Sequence, residues 1–179
     1  MLRPCRAISV IGRPLKLTVR RHVNLSVHFR ITGPGWAECR IADETSSCTV
    51  TASYLSDALR HLLLAATAVI SDFSRVTFSF SEEPGEFRWV ISRSRINEIE
   101  LTILKFRELM GERPDSQGAP LFSTKCLPRT FAKAIDGAAR ELVASVGESG
   151  YAEQWSRHPF PSLQLQELGR LLDIGEGAW

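Results

Sequence analysis

The sequence predicts an α+β fold, with an antiparallel sheet of at least five strands and helices mainly on one of its faces. Several segments alternate apolar and polar residues one by one, which is the period of a half-buried strand. Other segments repeat apolar residues every three or four positions, which is the period of a helix that packs on one side. The order of strands, helix, strands and helices favours an antiparallel sheet with helices laid against it.

The alternating segments come in two groups, before and after the first helical segment. Strands are predicted at 15–19, 25–31, 37–41, 48–50, 76–80, 87–91 and 99–103. Turn signals at Pro84-Gly85 and at Ser94 to Asn97 join the last three strands into a meander with one apolar face. Trp89 shares that apolar face and is predicted to be buried. Residues 107–126 contain several glycines and prolines and are predicted to form a loop.

Helical periodicity marks four segments. The first covers residues 55–70, with Ser53 as the predicted N-cap. The second covers residues 128–146, where a proline suits the first turn and glycines follow the last. A short helical piece is predicted at 151–157, and Ser162 is expected to cap a final helix that buries a stripe of leucines.

Composition sets the number of domains. The chain has 179 residues, of which 44% are hydrophobic and 23% charged, as expected for one globular domain. We expect a single α+β domain at 15–174, a basic flexible arm at 1–14 and a loose tail at 175–179. The arm weakly resembles a mitochondrial presequence, although two prolines interrupt it. No apolar stretch reaches the length of a membrane span, and no secretory signal is recognisable, so we expect a cytoplasmic protein.

Charge is unevenly distributed along the chain. Residues 1–37 carry seven basic and no acidic side chains, whereas the remainder carries fifteen basic and twenty acidic ones. A nucleic-acid-binding domain normally concentrates positive charge on its folded part, so this distribution argues against nucleic acid as a partner. It leaves room for a basic protein partner.

The sequence contains none of the common motifs for nucleotides, metals or nucleophilic catalysis. The four cysteines form no C-x-x-C pair, and no histidine lies at metal-ligand spacing from them. Cys39 and Cys48 face each other across a predicted hairpin and are expected to be reduced core residues. We therefore predict no cofactor, no metal and no catalytic residue.

Acidic residues cluster around the predicted meander. Three glutamates flank the Pro84-Gly85 turn, and two more alternate along a strand so that both point to its polar face. They are open to three interpretations: a solvated surface, an acid–base pair or cation site, or a patch that binds a basic protein. Trp36 follows a turn and is a candidate aromatic anchor. The predicted partner-binding residues are Glu82, Glu83, Glu86, Arg88, Glu98, Glu100 and Trp36.

Five short strings within residues 36–172 resemble a family of small uncharacterised α+β proteins from GC-rich bacteria. The strings are Trp36-Ala37-Glu38-Cys39, Tyr54-Leu55-Ser56-Asp57-Ala58-Leu59, Glu83-Pro84-Gly85-Glu86-Phe87-Arg88-Trp89-Val90, Gly150-Tyr151-Ala152-Glu153-Gln154-Trp155 and His158-Pro159-Phe160-Pro161. The resemblance implies a shared fold and assigns no catalytic residue. Small bacterial proteins of this type are often immunity proteins, which bind and block a cognate toxin.

These observations lead to one function hypothesis and two alternatives. The chain is expected to be a non-enzymatic protein-binding module, specifically an immunity-type inhibitor that neutralises a basic bacterial toxin domain. The alternatives are an enzyme with a non-standard carboxylate site and a structural or assembly subunit. Neither a membrane nor a nucleic acid is an expected partner.

Overall fold

The computed structural model describes residues 23–71, 73–109, 113–155 and 158–174. The strands are β1 (Ser26–Gly33), β2 (Trp36–Ala42), β3 (Ser47–Ser53), β4 (Arg75–Glu82), β5 (Gly85–Arg95), β6 (Glu98–Phe106) and β7 (Ala119–Cys126). The helices are α1 (Ala58–Ile70), α2 (Pro128–Trp155) and α3 (Ser162–Ile174), with a 3₁₀ turn at Asp115–Gln117. The α+β class is confirmed. The predicted arm at 1–14, strand at 15–19 and tail at 175–179 lie outside the described residues.

The strands form two antiparallel sheets, so the prediction of one sheet with at least five strands is wrong. One sheet has the order β1-β2-β3 and the other β4-β5-β6-β7. The Thr51 hydroxyl of β3 donates to Glu82 of β4, while Asp43, just before β3, lies beside Thr124 of β7. Because β4 and β7 are opposite edges of one sheet, β3 lies near both edges of that sheet without pairing with either.

Alternation correctly placed the strands that carry the core. Phe29 of β1 faces Cys39 of β2, which faces Val50 of β3, and all three are buried. In the other sheet, Trp89 of β5 faces Ile103 of β6, and both are completely buried. The inward faces of both sheets therefore contribute to one core.

The predicted loop at 107–126 contains a strand that sequence reasoning missed. Residues Ala119–Cys126 form β7, an edge strand paired with β6. Phe122 and Cys126 alternate with exposed residues and reach the core. Pro120 concealed this pattern. A proline is tolerated near the start of an edge strand because its missing N–H faces solvent rather than the partner strand.

Two predicted helix ends also differ from those observed. Ser53 is the last residue of β3, and α1 begins later, after Asp57, which makes no side-chain cap hydrogen bond. The predicted helix at 128–146 and the short piece after it are two parts of α2, joined at a kink. At the kink Gly147 has φ +70°, a conformation that costs glycine little and other residues more.

The helices gather into one cluster beside the sheets. Helix α1 packs against α2, α3 and β4, and α2 also lies along β1. The Phe29 ring meets the rings of Phe80 and Trp155 edge-on, each at 6.5 Å between centroids. One aromatic residue thereby joins both sheets to α2. Within the described residues, no helix has both the length and the apolar character needed to cross a membrane.

Gly85 should not tolerate a side chain. A Cβ at this buried position would lie 2.3 Å from the backbone oxygen of Phe106, which cannot move without disturbing β6. We expect Gly85→Ala to lower the free energy of unfolding by about 2–3 kcal/mol in urea titration. Gly137 of α2 has open space around it, so Gly137→Ala should raise stability by up to about 1 kcal/mol. Equal effects of the two substitutions would contradict this packing.

Asp43 should stabilise the protein in a pH-dependent way. Its Oδ1 accepts hydrogen bonds from the amides of Thr45 at 2.8 Å and Ser46 at 2.7 Å. Burial alone would raise the pKa of Asp43, but donors from Thr124, Thr45 and Ser46 outweigh it and lower this pKa from 3.8 to about 2. The contribution of ionised Asp43 to the free energy of unfolding is therefore complete above its pKa in the unfolded chain. This contribution is lost as pH falls through its pKa in the folded protein.

We expect Asp43→Ala to cost about 1 kcal/mol of unfolding free energy at pH 6. The difference from the unmodified protein should shrink between pH 4 and pH 2, as measured by urea titration at each pH. Glu44→Ala, at the exposed neighbouring position, serves as the control and should change the unfolding free energy by less than about 0.5 kcal/mol. A cost for Asp43→Ala that stays constant down to pH 2 would refute the assignment.

Candidate functional site

The structure divides the predicted glutamates between the two ends of the four-stranded sheet. Glu86 lies opposite Phe106 of β6, whereas Glu98 begins that same strand. Eight residues of extended strand separate these positions, which is roughly 27 Å. The five glutamates therefore form two separate groups rather than one continuous acidic patch.

Glu82 and Glu83 differ although they are neighbours. Glu82 accepts a 2.6 Å hydrogen bond from the Thr51 hydroxyl and lies 3.9 Å from Lys105 Nζ, so it links β4 to β3. Its strand position places it on the same face as the buried Phe80, not on the polar face. Glu83 is exposed in the turn.

Arg88 and Glu86 do share the polar face and do pair, but they are largely covered. Arg88 Nη2 lies 2.7 Å from Glu86 Oε1, and the two side chains are only 11% and 13% exposed. Arg88 Nη1 donates to the Arg113 carbonyl oxygen at 2.6 Å and lies 3.1 Å from Asp115 Oδ1. The guanidinium carbon also stacks 4.2 Å from the centre of the Phe106 ring.

The segment that covers this pair comes from the region predicted to be a loop. Asp115 also pairs with Arg75 of β4, and Gly118 lies directly against Leu104 and Phe106 of β6. Burial alone would lower the pKa of Arg88, but the hydrogen bonds that it donates to Asp115 and Glu86 raise this pKa above its usual value. Arg88 therefore stays charged and fixes this segment to the outer face of the sheet.

Glu98 and Glu100 lie at the other end of the sheet, and their side chains are 21% and 43% exposed. Arg95 Nε lies 4.0 Å from Glu98 Oε1, and Lys125 Nζ lies 3.8 Å from Glu100 Oε2. The Ser94 hydroxyl also donates to Glu98 at 3.0 Å. Ion pairs this long on the surface contribute little energy, so a partner's cations can compete for the Glu100 carboxylate.

Trp36 is separate from both glutamate groups. It begins β2 of the three-stranded sheet, opposite Ser53, and is 37% exposed. Glu38, on the same face, pairs with Arg30. The aromatic side chain is thus available at the surface but belongs to the other sheet.

Sequence reasoning missed a cavity of about 660 Å³ at the end of the molecule where Glu98 lies. The cavity opens where α1 and α3 end, α2 begins and the β5–β6 hairpin turns. Its apolar walls include Val69, Ile70, Leu127, Pro128, Leu171 and Ile174. Ile96, at the hairpin tip, is 83% exposed beside it, and this apolar residue in a polar turn was the available signal.

Arg93 forms one wall of this cavity and is tied to backbone oxygens. Its Nε donates to Phe73 at 3.1 Å, Nη1 to Ile96 at 2.7 Å and Nη2 to Ser71 at 3.0 Å. Its guanidinium carbon lies 4.7 Å from the centre of the Phe73 ring. Arg129 lines the cavity as well and donates to the Leu172 carbonyl oxygen at 2.5 Å.

His158 joins the proline-rich corner to the start of α1. Its Nδ1 lies 3.7 Å from Asp57 Oδ2, and its Nε2 lies 3.2 Å from the Tyr54 carbonyl oxygen. Both ring nitrogens thus contact groups of the fold itself, which gives His158 a structural role. In the part of the chain that the structure describes, no three histidine, cysteine or acidic side chains are grouped to hold a metal ion.

The different surroundings of Glu83 and Glu86 predict different responses to charge reversal. Glu86→Lys would place a cation against the covered guanidinium of Arg88, and we expect it to lower the unfolding free energy by about 2–4 kcal/mol. Glu83→Lys, three residues away and exposed, should change it by less than about 0.5 kcal/mol. Urea titration of both variants would test this, and similar stabilities would show that the Arg88 pairing contributes little.

Comparison of the chain with family models, curated proteins and solved structures found no match.

Proposed function

We propose that this chain is a non-enzymatic module that binds another protein. The observation that carries the proposal is Ile96, which is 83% exposed at the tip of the β5–β6 hairpin. Exposed apolar residues beside a concave apolar surface are a usual mark of an interaction site. The two strands of the hairpin hold Ile96 in place, so little conformational entropy would be lost on binding.

Glu98 and Glu100 extend this surface along β6. We name the group Ile96, Glu98 and Glu100 the hairpin end. Glu100 is 43% exposed on its side chain, and its 3.8 Å contact with Lys125 is weak. An apolar anchor flanked by acids suits a partner that presents an apolar residue within a basic surface.

The specific form of this proposal is an immunity-type inhibitor that captures a basic toxin domain in the cytoplasm. Toxins that act on nucleic acids carry positive charge, and complementary carboxylates would speed their capture. The free thiols of Cys39, Cys48 and Cys126 suit a reducing compartment. Of the predicted site residues near Ile96, Glu100 is the one best placed for this role, since Glu86 and Arg88 are covered and the Glu98 side chain is only 21% exposed.

The test is binding to a partner identified by cross-linking in the native host and then purified. Ile96→Ser should weaken that binding about tenfold or more, because it removes the central anchor. Leu163→Ser is the matched control, since Leu163 is 75% exposed on α3 outside the hairpin end. If both variants bind as the unmodified chain does, the hairpin end is not the interface.

Charge reversal tests the electrostatic part of the same proposal. Glu100→Lys should reduce the association rate about threefold to tenfold at low salt, and less at high salt. Glu148→Lys, at an exposed position of α2, is the control.

The inhibitor role makes a further demand on the partner. The partner should arrest growth when it is expressed alone, and co-expression of this chain should restore growth. The Ile96→Ser variant should fail to restore growth. A partner without toxicity would refute the inhibitor role while leaving protein binding in place.

A further inference from the structure

The proline-rich corner at 158–161 is joined to the start of α1 through one imidazole ring. His158 Nε2 lies 3.2 Å from the Tyr54 carbonyl oxygen, and His158 Nδ1 lies 3.7 Å from Asp57 Oδ2. A carbonyl oxygen and an ionised carboxylate can only accept hydrogen bonds. Each nitrogen of the ring therefore faces an acceptor.

A neutral imidazole cannot satisfy both of these neighbours, because only one of its two nitrogens carries a hydrogen. If the hydrogen is on Nε2, the lone pair of Nδ1 faces the negative charge of Asp57. If the hydrogen is on Nδ1, the lone pair of Nε2 faces the Tyr54 carbonyl oxygen. The imidazolium form of His158 has a donor at both positions, and its positive charge opposes that of Asp57.

Asp57 is a carboxylate that needs such a counter-charge. Its side chain is only 11% exposed, and its Oδ1 is buried without a hydrogen-bond partner. Arg60, one turn further along α1, lines the same surface hollow but is exposed and forms no ion pair with it. Because Asp57 is the N-cap of α1, the helix dipole favours its ionised form. The proton at this contact therefore belongs on His158.

The Tyr151 hydroxyl of α2 is a second buried group without a hydrogen-bond partner in this region. Burial, and secondly the charge of Asp57, raise the pKa of Tyr151 above its usual value. Tyr151 stays neutral for that reason and supplies no charge of its own. The only one of these groups that gains or loses a proton near neutral pH is His158.

We propose that His158 is an imidazolium in the folded protein and acts as a pH-sensitive link between the proline-rich corner and α1. Loss of its proton as pH rises leaves a ring with one donor between two acceptors, so the link weakens. This inference is independent of the proposed protein partner.

Nitrogen NMR of the imidazole rings in the full chain at pH 7 tests the assignment directly. Both ring nitrogens of His158 should have the chemical shift of a protonated imidazolium. As pH rises, one of the two nitrogens should lose its proton while the chain remains folded. A neutral His158 ring at pH 7, in either tautomer, would overturn the proposal.

Asp57→Asn is the matched variant, because asparagine has nearly the same shape and is also a good N-cap. Its amide can donate to Nδ1, so a neutral His158 satisfies both neighbours and only Nε2 should stay protonated at pH 7. Glu141→Gln, which removes the carboxylate 3.5 Å from His28, should leave the His158 signals unchanged. An imidazolium that persists at His158 in folded Asp57→Asn would overturn the proposal.

The link should also make stability depend on pH. The proton on His158 stabilises the folded protein alone, so its contribution is complete below the ordinary histidine pKa of about 6.5 and is lost as pH rises. In urea titrations the equilibrium constant for unfolding should rise about tenfold between pH 6 and pH 9 through this loss. His158→Gln should remove that rise, and His28→Gln should retain it. Equal pH dependence in the unmodified chain and in folded His158→Gln would overturn the proposal.

Discussion

The contact of Phe29 with Phe80 and Trp155 is the interaction on which the rest of the structure depends. Neither sheet is wide enough to enclose a core, and β3 lies near both edge strands of the larger sheet without pairing with them. The inward faces of the two sheets can be kept from water only if they pack together and against the helices. Phe29 meets one residue from the second sheet and one from α2, so it fixes all three parts relative to one another.

Local sequence patterns predicted the parts of this fold that depend on local physics. Alternation placed the strands around Phe29 and Trp89 because a strand's side chains point alternately to its two faces. The division into two sheets was not predictable in this way, since no local pattern records whether β3 pairs with β4 or ends its own sheet. The N-cap was misplaced because Ser53 and Asp57 are both good caps, and only the end of β3 decides between them.

The candidate site shows the same limit. Alternation correctly placed Arg88 on the polar face with Glu86, where the two form an ion pair. It gave no sign that Asp115, from a segment predicted to be a loop, would cover them. A polar face is defined by strand geometry, whereas its accessibility depends on distant segments. For that reason the accessible predicted acids are Glu83 in the turn and, at the far end, Glu100 near Ile96.

The kink in α2 decides where the end of that helix points. Gly147, at φ +70°, leaves the helical backbone conformation, so the helix changes direction at this residue. The residues that follow it include Tyr151 and Trp155, which are completely buried, and Trp155 meets the Phe29 ring. The backbone beyond the kink is also held, because the Gly35 amide donates to the Gln154 carbonyl oxygen at 2.6 Å. The direction in which Trp155 reaches Phe29 therefore depends on the backbone conformation of a single residue.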